Sequence, residues 1–572
     1  MENNTQTTDN TEIVTEFITK IQAEQRAVDD YCKSFPNPEE IDLVHAEGCI
    51  LRLTYLYFNM HNENAPKDEK WHKTAELSTA QAAMLLSRRY VIRRVDQAAV
   101  SPYTSEDASH LQNADNLRLY WYNEKQGIFC PAEDFLPRQA LKINASFAKK
   151  KSEEIMHIIS HSAPVVTPSM DPDLIPVGNG IFDYKNKKLM PFSPEYVYLT
   201  KCPVNYVPSA VNPVIHNDTD GSDWDIESWM KSLSDDPSIV SLLWEVTGAC
   251  IRPGVRWDKA AWLYSTSGNS GKGTLCALMR NLCGENRYAS LSVAQFDENP
   301  FLLESLIGVS AVITDENDVG TYIDKSKNMK AAITGDMMQI NRKYKAPMNY
   351  RFQGFIVQCL NELPKIRDRS ESYARRQLII PMTKCFTGKE RKYIKNDYLK
   401  RQDVLEYALY KILNTNYYEL SMPEACTDML DEYKTLNNPV RDFAEQTLPQ
   451  AKWDLLPFSF LYDLYKGWFK DNNPSGTIQS SRTFIVELTD VLKTGDFGYI
   501  CPDKKKQFRA AGRMAGPEPM ILEYNLTNWM NSHAKNSNDP NKLCVPDLKQ
   551  SVYRGILRTA AATAATPETE LP

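Results

Sequence analysis

No stretch of this chain approaches the roughly 18 consecutive apolar residues that a membrane-spanning helix needs. The opening residues Met1 to Thr11 are polar and rich in Asn and Thr, with neither the basic start nor the apolar centre of a secretory signal. Both lacks point to a cytoplasmic protein without membrane partners. The chain has 12 cysteines but no C-x-x-C pair, which removes the usual spacing of a zinc ribbon. Cys276 and Cys283, one heptad apart, read as buried thiols on one helix face and suit a reducing compartment. Positive charge is not in excess either. The 66 Lys and Arg stand against 73 Asp and Glu, for a formal charge of -7, so any grip on nucleic acid has to come from local basic patches. No repeat of 20–50 residues is present, which excludes solenoids and propellers.

What is present is length for three or four domains and a texture that changes along the chain. Residues 1–12 read as a disordered tail, and 13–100 as a helical, non-catalytic region whose apolar positions have mixed helical spacing. Short strands and turns characterise 101–223, including a hairpin from Gly180 to Phe192 around a Lys-Asn turn. Residues 224–259 form a helical connector. Strand and helix patterns alternate over 260–385, as in a nucleotide-binding α/β core. Helix returns over 386–438, a smaller mixed region covers 439–540, and 541–572 reads as a largely disordered tail.

The chemistry concentrates in 260–385. Ala261-Trp-Leu-Tyr264 is a short buried strand, followed by Ser265-Thr-Ser-Gly-Asn-Ser-Gly-Lys-Gly-Thr274 and a helical run. Strand, glycine loop, lysine, hydroxyl and helix are the parts of a phosphate-binding loop. Backbone N–H groups of Gly268, Asn269, Ser270, Gly271, Lys272, Gly273 and Thr274 would wrap the phosphates of ATP, aided by the helix dipole. Lys272 reaches the β and γ phosphates; Thr274, or less directly Ser270, supplies a hydroxyl towards Mg2+. Two positions depart from the full pattern: Thr266 stands where the first glycine belongs, and Gly273 where a hydroxyl residue follows the lysine. The plainer reading is a Gly/Ser turn with a solvated lysine.

Gly308 to Asn317 is an apolar strand ending in Asp315 and Glu316. A carboxylate there can hold magnesium, and its neighbour can polarise an attacking water; the alternative is a solvated strand end. Met337 to Phe352 reads as a hairpin with Arg342, Lys343, Tyr344 and Lys345 at its tip. Three cations flanking an aromatic suit a nucleic-acid backbone with base stacking, or else a protected edge hairpin. A further apolar strand ends in Asn361, suited to sensing the γ-phosphate or holding water, or to plain capping. Arg375 and Arg376 precede another strand, where a guanidinium could stabilise charge on a neighbouring subunit's nucleotide or simply be solvated.

Asn269-Ser-Gly-Lys-Gly-Thr274, Ile313-Thr-Asp-Glu316, Thr334-Gly-Asp336 with Arg342-Lys-Tyr-Lys345, Leu360-Asn-Glu-Leu-Pro364 and Arg375-Arg-Gln-Leu-Ile-Ile-Pro381 resemble, in this order, the superfamily III helicases. These are AAA+ ring motors, and the chain is most similar to primase-helicases of the phage and poxvirus type. The resemblance extends upstream through Asn179-Gly-Ile-Phe-Asp183 and downstream through Pro439-Val-Arg-Asp-Phe443. It implies Lys272 as the Walker A lysine, Asp315 and Glu316 as the Walker B pair, Asn361 as first sensor, and Lys343 and Tyr344 at a DNA-gripping hairpin tip. Arg375 or Arg376 would be the arginine finger, with Arg376 preferred because it abuts the strand. It supplies no primase. The D-x-D pairs at Asp171, Asp218 and Asp223 occupy loop-like settings, and Glu153, His157 and His161, spaced four apart on a helical stretch, read as solvated or structural.

In the C-terminal region a helix pair followed by a basic hairpin suggests a winged helix, with Ser481 to Leu492 as recognition helix and Lys504 to Arg513 as wing. Lys504, Lys505, Lys506 and Arg509 would then meet duplex DNA; the plainer reading is a solvated loop on a small oligomerisation domain. The fold expected is α/β: an AAA+ P-loop motor core with a helical N-terminal region, a small α+β domain before the motor and a winged-helix-like C-terminal domain. The activity expected is an ATP- and Mg2+-dependent DNA helicase of phage or mobile-element replication, in a host cytoplasm. Its partners would be single-stranded and forked DNA, a duplex origin, copies of itself in a ring of six, and a separate primase or other replication proteins. The rivals are an origin-binding AAA+ initiator or loader that does not unwind processively, and an RNA- or defence-associated AAA+ protein.

Overall fold

The computed structural model describes residues 19–97, 117–343, 345–366, 368, 370–472, 478–494, 497–534 and 539–559. The chain divides into two compact units, 1–321 with 325–362 and 375–423, and 322–324 with 363–374 and 424–572. The first and last expected tails, 1–12 and the stretch from 560, lie outside the described residues. Among the described residues no helix is long and apolar enough to cross a membrane.

The first unit opens on helices Lys20–Lys33, Ala46–Asn64 and Thr79–Arg89. The last starts at a capping box in which Ser78 and Gln81 satisfy each other's backbone N–H groups. Strand Ile92–Val95 follows and pairs antiparallel with Arg118–Asn123 and parallel with Val165–Val166. Leu85, Leu86 and Ile92 share one buried core with Leu136, Ile155 and Ile159. The expected boundary at residue 100 therefore does not separate two cores. The helical region and the strands after it lack enough apolar surface apart and bury it together. The expected hairpin is present: Gly180–Asp183 pairs with Lys188–Met190, and Lys187 in its turn has φ 55°. Helices Ile226–Lys231 and Pro237–Ala249 form the connector.

The centre of this unit is a five-stranded parallel sheet. Its strands are β1 (Ala260–Tyr264), β2 (Tyr288–Ala289), β3 (Ala311–Thr314), β4 (Phe355–Leu360) and β5 (Gln377–Pro381). Their order across the sheet is β2-β3-β4-β1-β5, with every pairing parallel. All six residues of β4 and all four of β3 are buried, as expected of strands covered on both faces. Helix α1 (Lys272–Cys283) leaves β1 through the glycine loop. It buries Leu275, Cys276, Leu278, Met279, Leu282 and Cys283, so the two cysteines do share its inner side. The Cys276 and Cys359 sulfurs lie 3.3 Å apart; hydrogen bonding to Cys359 and burial push the Cys276 thiol pKa well up, which keeps it protonated.

In the second unit, helices Pro439–Thr447, Phe458–Asn472 and Ser481–Thr494 pack Phe443, Leu461, Tyr465, Phe484 and Leu488 into one core with Trp453, Leu456 and Ile556. Here the structure corrects two expectations. The stretch 541–572 was expected to be largely disordered, yet Val552–Arg558 is a strand that pairs with Leu455–Pro457, Tyr499–Ile500 and Gln507–Arg509. The segments flanking Lys504–Lys506 were expected to pair as a hairpin, but each pairs instead with this late strand. Its partners lie far away in sequence, so no local pattern announced it. Gly555 passes so close to Leu456 that a Cβ would fall 2.2 Å from the carbonyl oxygen. Ile556 is fully buried opposite Leu456, so Ile556→Ala should cost about 2–5 kcal/mol. Urea unfolding followed by tryptophan fluorescence measures this; an unshifted midpoint would remove the strand from the core.

Candidate nucleotide and nucleic-acid site

A parallel sheet delivers the carboxyl ends of its strands to one edge. At that edge β1 continues into the glycine loop, β3 into Asp315 and Glu316, and β4 into Asn361. The loop turns sharply, because Asn269 and Gly271 both take left-handed backbone conformations, φ 56° and 89°. Residues 268–274 with Asp315, Glu316, Asn361 and Lys395 line one cavity of about 340 Å3. The structure thus brings together the loop, the acidic pair and Asn361. Lys395 is an addition that sequence reasoning missed, because it lies on a short helix, Lys392–Asn396, far along the chain and without a motif.

Lys272 is 9% exposed and is held by neutral acceptors, Ser265 O at 3.3 Å and Asn361 Oδ1 at 2.9 Å. Burial lowers its pKa from the usual lysine value. A buried cation without a carboxylate partner is unfavourable by itself and favourable beside an anion. The Ser270 Oγ and the Asp315 Oδ1 are buried without a hydrogen-bond partner among the described residues. A triphosphate with its metal would satisfy all three groups, so the donor set fits ATP and Mg2+. Thr274 also lines the cavity, but the orphaned hydroxyl belongs to Ser270.

Asp315 is positioned by a residue the sequence did not flag. Arg280, on α1, donates to Asp315 Oδ2 at 2.6 Å and to the Ile313 carbonyl at 3.0 Å. Burial works against the Arg280 charge, yet Asp315 offsets this and its pKa stays above the usual arginine value. The turn after Asp315 is pinned by Asn317, whose Nδ2 donates to Gln358 Oε1 at 3.0 Å and the Cys359 carbonyl at 2.9 Å. Glu316 is left exposed at the cavity.

Arg375 and Arg376 do not join this cluster. They stand at the amino end of β5, and five strand residues span about 16 Å between them and the edge that carries the cavity. The Arg376 carbonyl accepts from Ala260 N–H at 2.8 Å, and Lys259 donates to the Arg375 carbonyl at 2.6 Å, which fixes the start of β5 against β1.

Strands Met337–Arg342 and Lys345–Arg351 form the expected antiparallel hairpin, with an irregularity between Ile340 and Arg342. Its base is anchored by buried Met338, Ile340, Met348 and Tyr350, and the Tyr350 hydroxyl donates to the Leu306 carbonyl at 2.9 Å. Lys343 is exposed at the turn. Tyr344 lies outside the described residues, as does the side chain of Lys345. In the second unit Lys505, Lys506 and Arg509 are exposed and Lys504 is half-buried.

Glu153, His157 and His161 are exposed on helix Lys149–Ser162, and His161 Nδ1 lies 2.8 Å from the His157 carbonyl. The D-x-D carboxylates have local roles: Asp225 caps helix Ile226–Lys231 and Asp223 pairs with His216. Asp223 ends up on a short strand, Ser222–Trp224, where a loop was expected.

Three family models match the chain. One describes a D5 N-terminal-like region, over residues 113–235. A second describes poxvirus D5-like proteins, over 436–515. The third, the family of unknown function DUF5906, covers 263–376 and so contains the phosphate loop, acidic pair and hairpin. In two of these regions the chain is similar to the D5-like superfamily III primase-helicases, a family of replication proteins. No curated protein matches it. Among solved structures, the C-terminal region of NrS-1 is similar at 12% identity and TM-score 0.40, covering 84% of this chain and 100% of that one. The JCV helicase is similar at 16% identity and TM-score 0.23, over 37% of this chain and 58% of that one.

If Arg280 sets the Asp315 carboxylate for a metal, Arg280→Ala should raise the Mg2+ concentration needed for half-maximal ATP binding by about tenfold, the equivalent of ~1.4 kcal/mol. A magnesium titration of ATP affinity checks this, and an unchanged midpoint would leave Arg280 a packing residue.

Proposed function

We propose that this chain is an ATP-dependent DNA helicase of phage or mobile-element replication, working as an AAA+ ring, most simply of six subunits, that translocates on single-stranded DNA. The observation that carries the proposal is the convergence of buried Lys272, the orphaned Ser270 and Asp315 oxygens, Glu316 and Asn361 on one cavity at the carboxyl edge of a parallel sheet. Lys272 would neutralise the β and γ phosphates. Bound Mg2+ would neutralise further phosphate charge, held by Asp315 with the Ser270 or Thr274 hydroxyl. Glu316, exposed at the mouth, would accept a proton from the attacking water, and Asn361 would orient that water or the γ-phosphate.

Two further features support a ring. Arg375 and Arg376 stand too far from their own cavity to act there, so a catalytic guanidinium from this pair would serve a neighbouring subunit. The hairpin, rigid at its base and cationic at its exposed turn, is suited to gripping a backbone in a central channel. The exposed lysines at 505 and 506, with Arg509, suit duplex contacts of a winged-helix-like domain, which would bring an origin or fork to the ring. A separate primase would be a natural partner.

ATP turnover tests the chemistry. Lys272→Ala should abolish it through lost phosphate binding, whereas Glu316→Gln should keep ATP bound and slow hydrolysis by about 100-fold or more, the range of a lost general base. Normal turnover by Glu316→Gln would mean that the acidic pair is misassigned. The interface is tested by mixing. Arg376→Ala protein and Lys272→Ala protein, each inactive, should regain ATPase when co-assembled, since some interfaces then hold both intact groups. Absence of recovery in proven mixed assemblies would argue against a finger in trans. Coupling to DNA is tested at the hairpin. Lys343→Ala should retain basal ATPase, unwind forked DNA more slowly and lower the salt slope of single-strand binding by about 0.7. Wild-type unwinding by Lys343→Ala would detach the hairpin from translocation, leaving an initiator or loader as the better description.

A further inference from the structure

The lack of a C-x-x-C pair excludes a metal site built on one ribbon, but not one assembled from separate elements. Three elements meet in this way beside the phosphate loop. Cys276 lies on α1, four residues after Lys272. Cys359 is the penultimate residue of β4, two before Asn361, and Asp315 directly follows β3. One ligand atom from each, two sulfurs and a carboxylate oxygen, all lie within 4.8 Å of one another, and the sulfurs are 3.3 Å apart. Around a tetrahedral zinc with Zn–S of about 2.3 Å and Zn–O of about 2.1 Å, the S–S edge is about 3.8 Å and the S–O edge about 3.6 Å. Shifts of about 1 Å or less would therefore fit all three groups to one ion.

The donors suit a soft ion and not Mg2+. Thiolate sulfur selects cations of the zinc class, whereas Mg2+ takes oxygen ligands. Cys276 and Cys359 are 0% and 2% exposed, so the sulfur side of the site is closed to water. The Asp315 side chain is 32% exposed and lines the cavity, which gives an ion its way in. Arg280 occupies Oδ2 of Asp315, while Oδ1 is buried without a hydrogen-bond partner among the described residues. Lys272 and Arg280 both lie within electrostatic reach of the Cys276 sulfur. Cations beside a thiol favour its deprotonated, metal-binding form. As the metal binds, each thiol releases its proton to solvent.

We propose that Cys276, Cys359 and Asp315 form a binding site for a soft divalent cation of the zinc class, with water in the fourth position. The bound ion withdraws Asp315 from nucleotide-bound Mg2+, so that zinc opposes MgATP. The metal site stands on its three ligands alone; its effect on ATP rests on the nucleotide reading of the loop.

The test uses the reduced, metal-free full chain, with Co2+ as a coloured substitute for Zn2+. Titration without nucleotide should give a thiolate-to-cobalt charge-transfer band in the near ultraviolet that Zn2+ abolishes. Cys276→Ser and Cys359→Ser should each weaken cobalt binding about 100-fold or more, whereas removal of the exposed thiol in Cys385→Ser should leave it within about twofold. Because serine at a buried position can unsettle the fold, X-ray absorption on the unmodified protein with one equivalent of Zn2+ is the second measurement. It should show two sulfur ligands at about 2.3 Å and oxygen in the remaining positions. No band in the unmodified protein, an unchanged band in both cysteine variants, or any other number of sulfurs around zinc overturns the site. One equivalent of Zn2+, with Mg2+ in excess, should also raise the Kd for MgATP about tenfold, and Cys276→Ser should lose this effect. Equal MgATP affinity with and without zinc overturns the sharing of Asp315. A protein that binds cobalt but no ATP overturns the nucleotide reading and leaves the metal site standing.

Discussion

The site depends on the order in which five parallel strands lie. All five send their carboxyl ends to one edge, but only neighbours bring their end groups within bonding distance. Because β4 is inserted between β1 and β3, Asn361 stands between the phosphate loop and the acidic pair. It is near enough to accept from Lys272 at 2.9 Å. With β4 between them the lysine is held by neutral acceptors, and Asp315 is held by Arg280 of α1.

That separation leaves the edge electrostatically incomplete. A half-buried arginine takes one oxygen of Asp315 and leaves the other unpartnered, together with the Ser270 hydroxyl. Orphaned polar atoms are costly inside a fold, and two in one small cavity beside a buried lysine are better explained by a charged ligand than by loose packing. The same edge is braced around these groups: Thr314 Oγ1 donates to the Leu291 carbonyl at 2.8 Å, Gln358 Nε2 to the same carbonyl at 2.9 Å, and Asn317 to β4. The chemistry-bearing residues are thus mounted on strand ends whose own polar groups are satisfied, which holds them still.

Away from the sheet, the elements are short and their partners distant. The N-terminal helices complete their core only with residues beyond 117. In the second unit, one strand of seven residues, Val552–Arg558, gathers three others from 455 to 509. Such contacts form late and at the expense of long loops, but they let small patches of apolar sequence make a common core.

The sequence by itself was enough to pick out most of the residues that line the cavity. A phosphate loop, a strand ending in two carboxylates and a strand ending in an amide are local patterns, because each chemical role is fulfilled within a few residues of a strand end. Lys272, Asp315, Glu316 and Asn361 were legible for that reason, and so were the hairpin from Met337 and the buried cysteines of α1. Tertiary structure alone decided what lay beyond a window of local periodicity. Arg280 is an ordinary helix residue until α1 packs on β3, and Lys395 an ordinary surface lysine until its short helix folds over the loop. The strand at 552–558 was hidden because a strand of mixed polarity declares itself through its partners, and those lie about 50 to 100 residues upstream. Local sequence specifies what a residue can do; the strand order and the long-range packing decide what it stands next to.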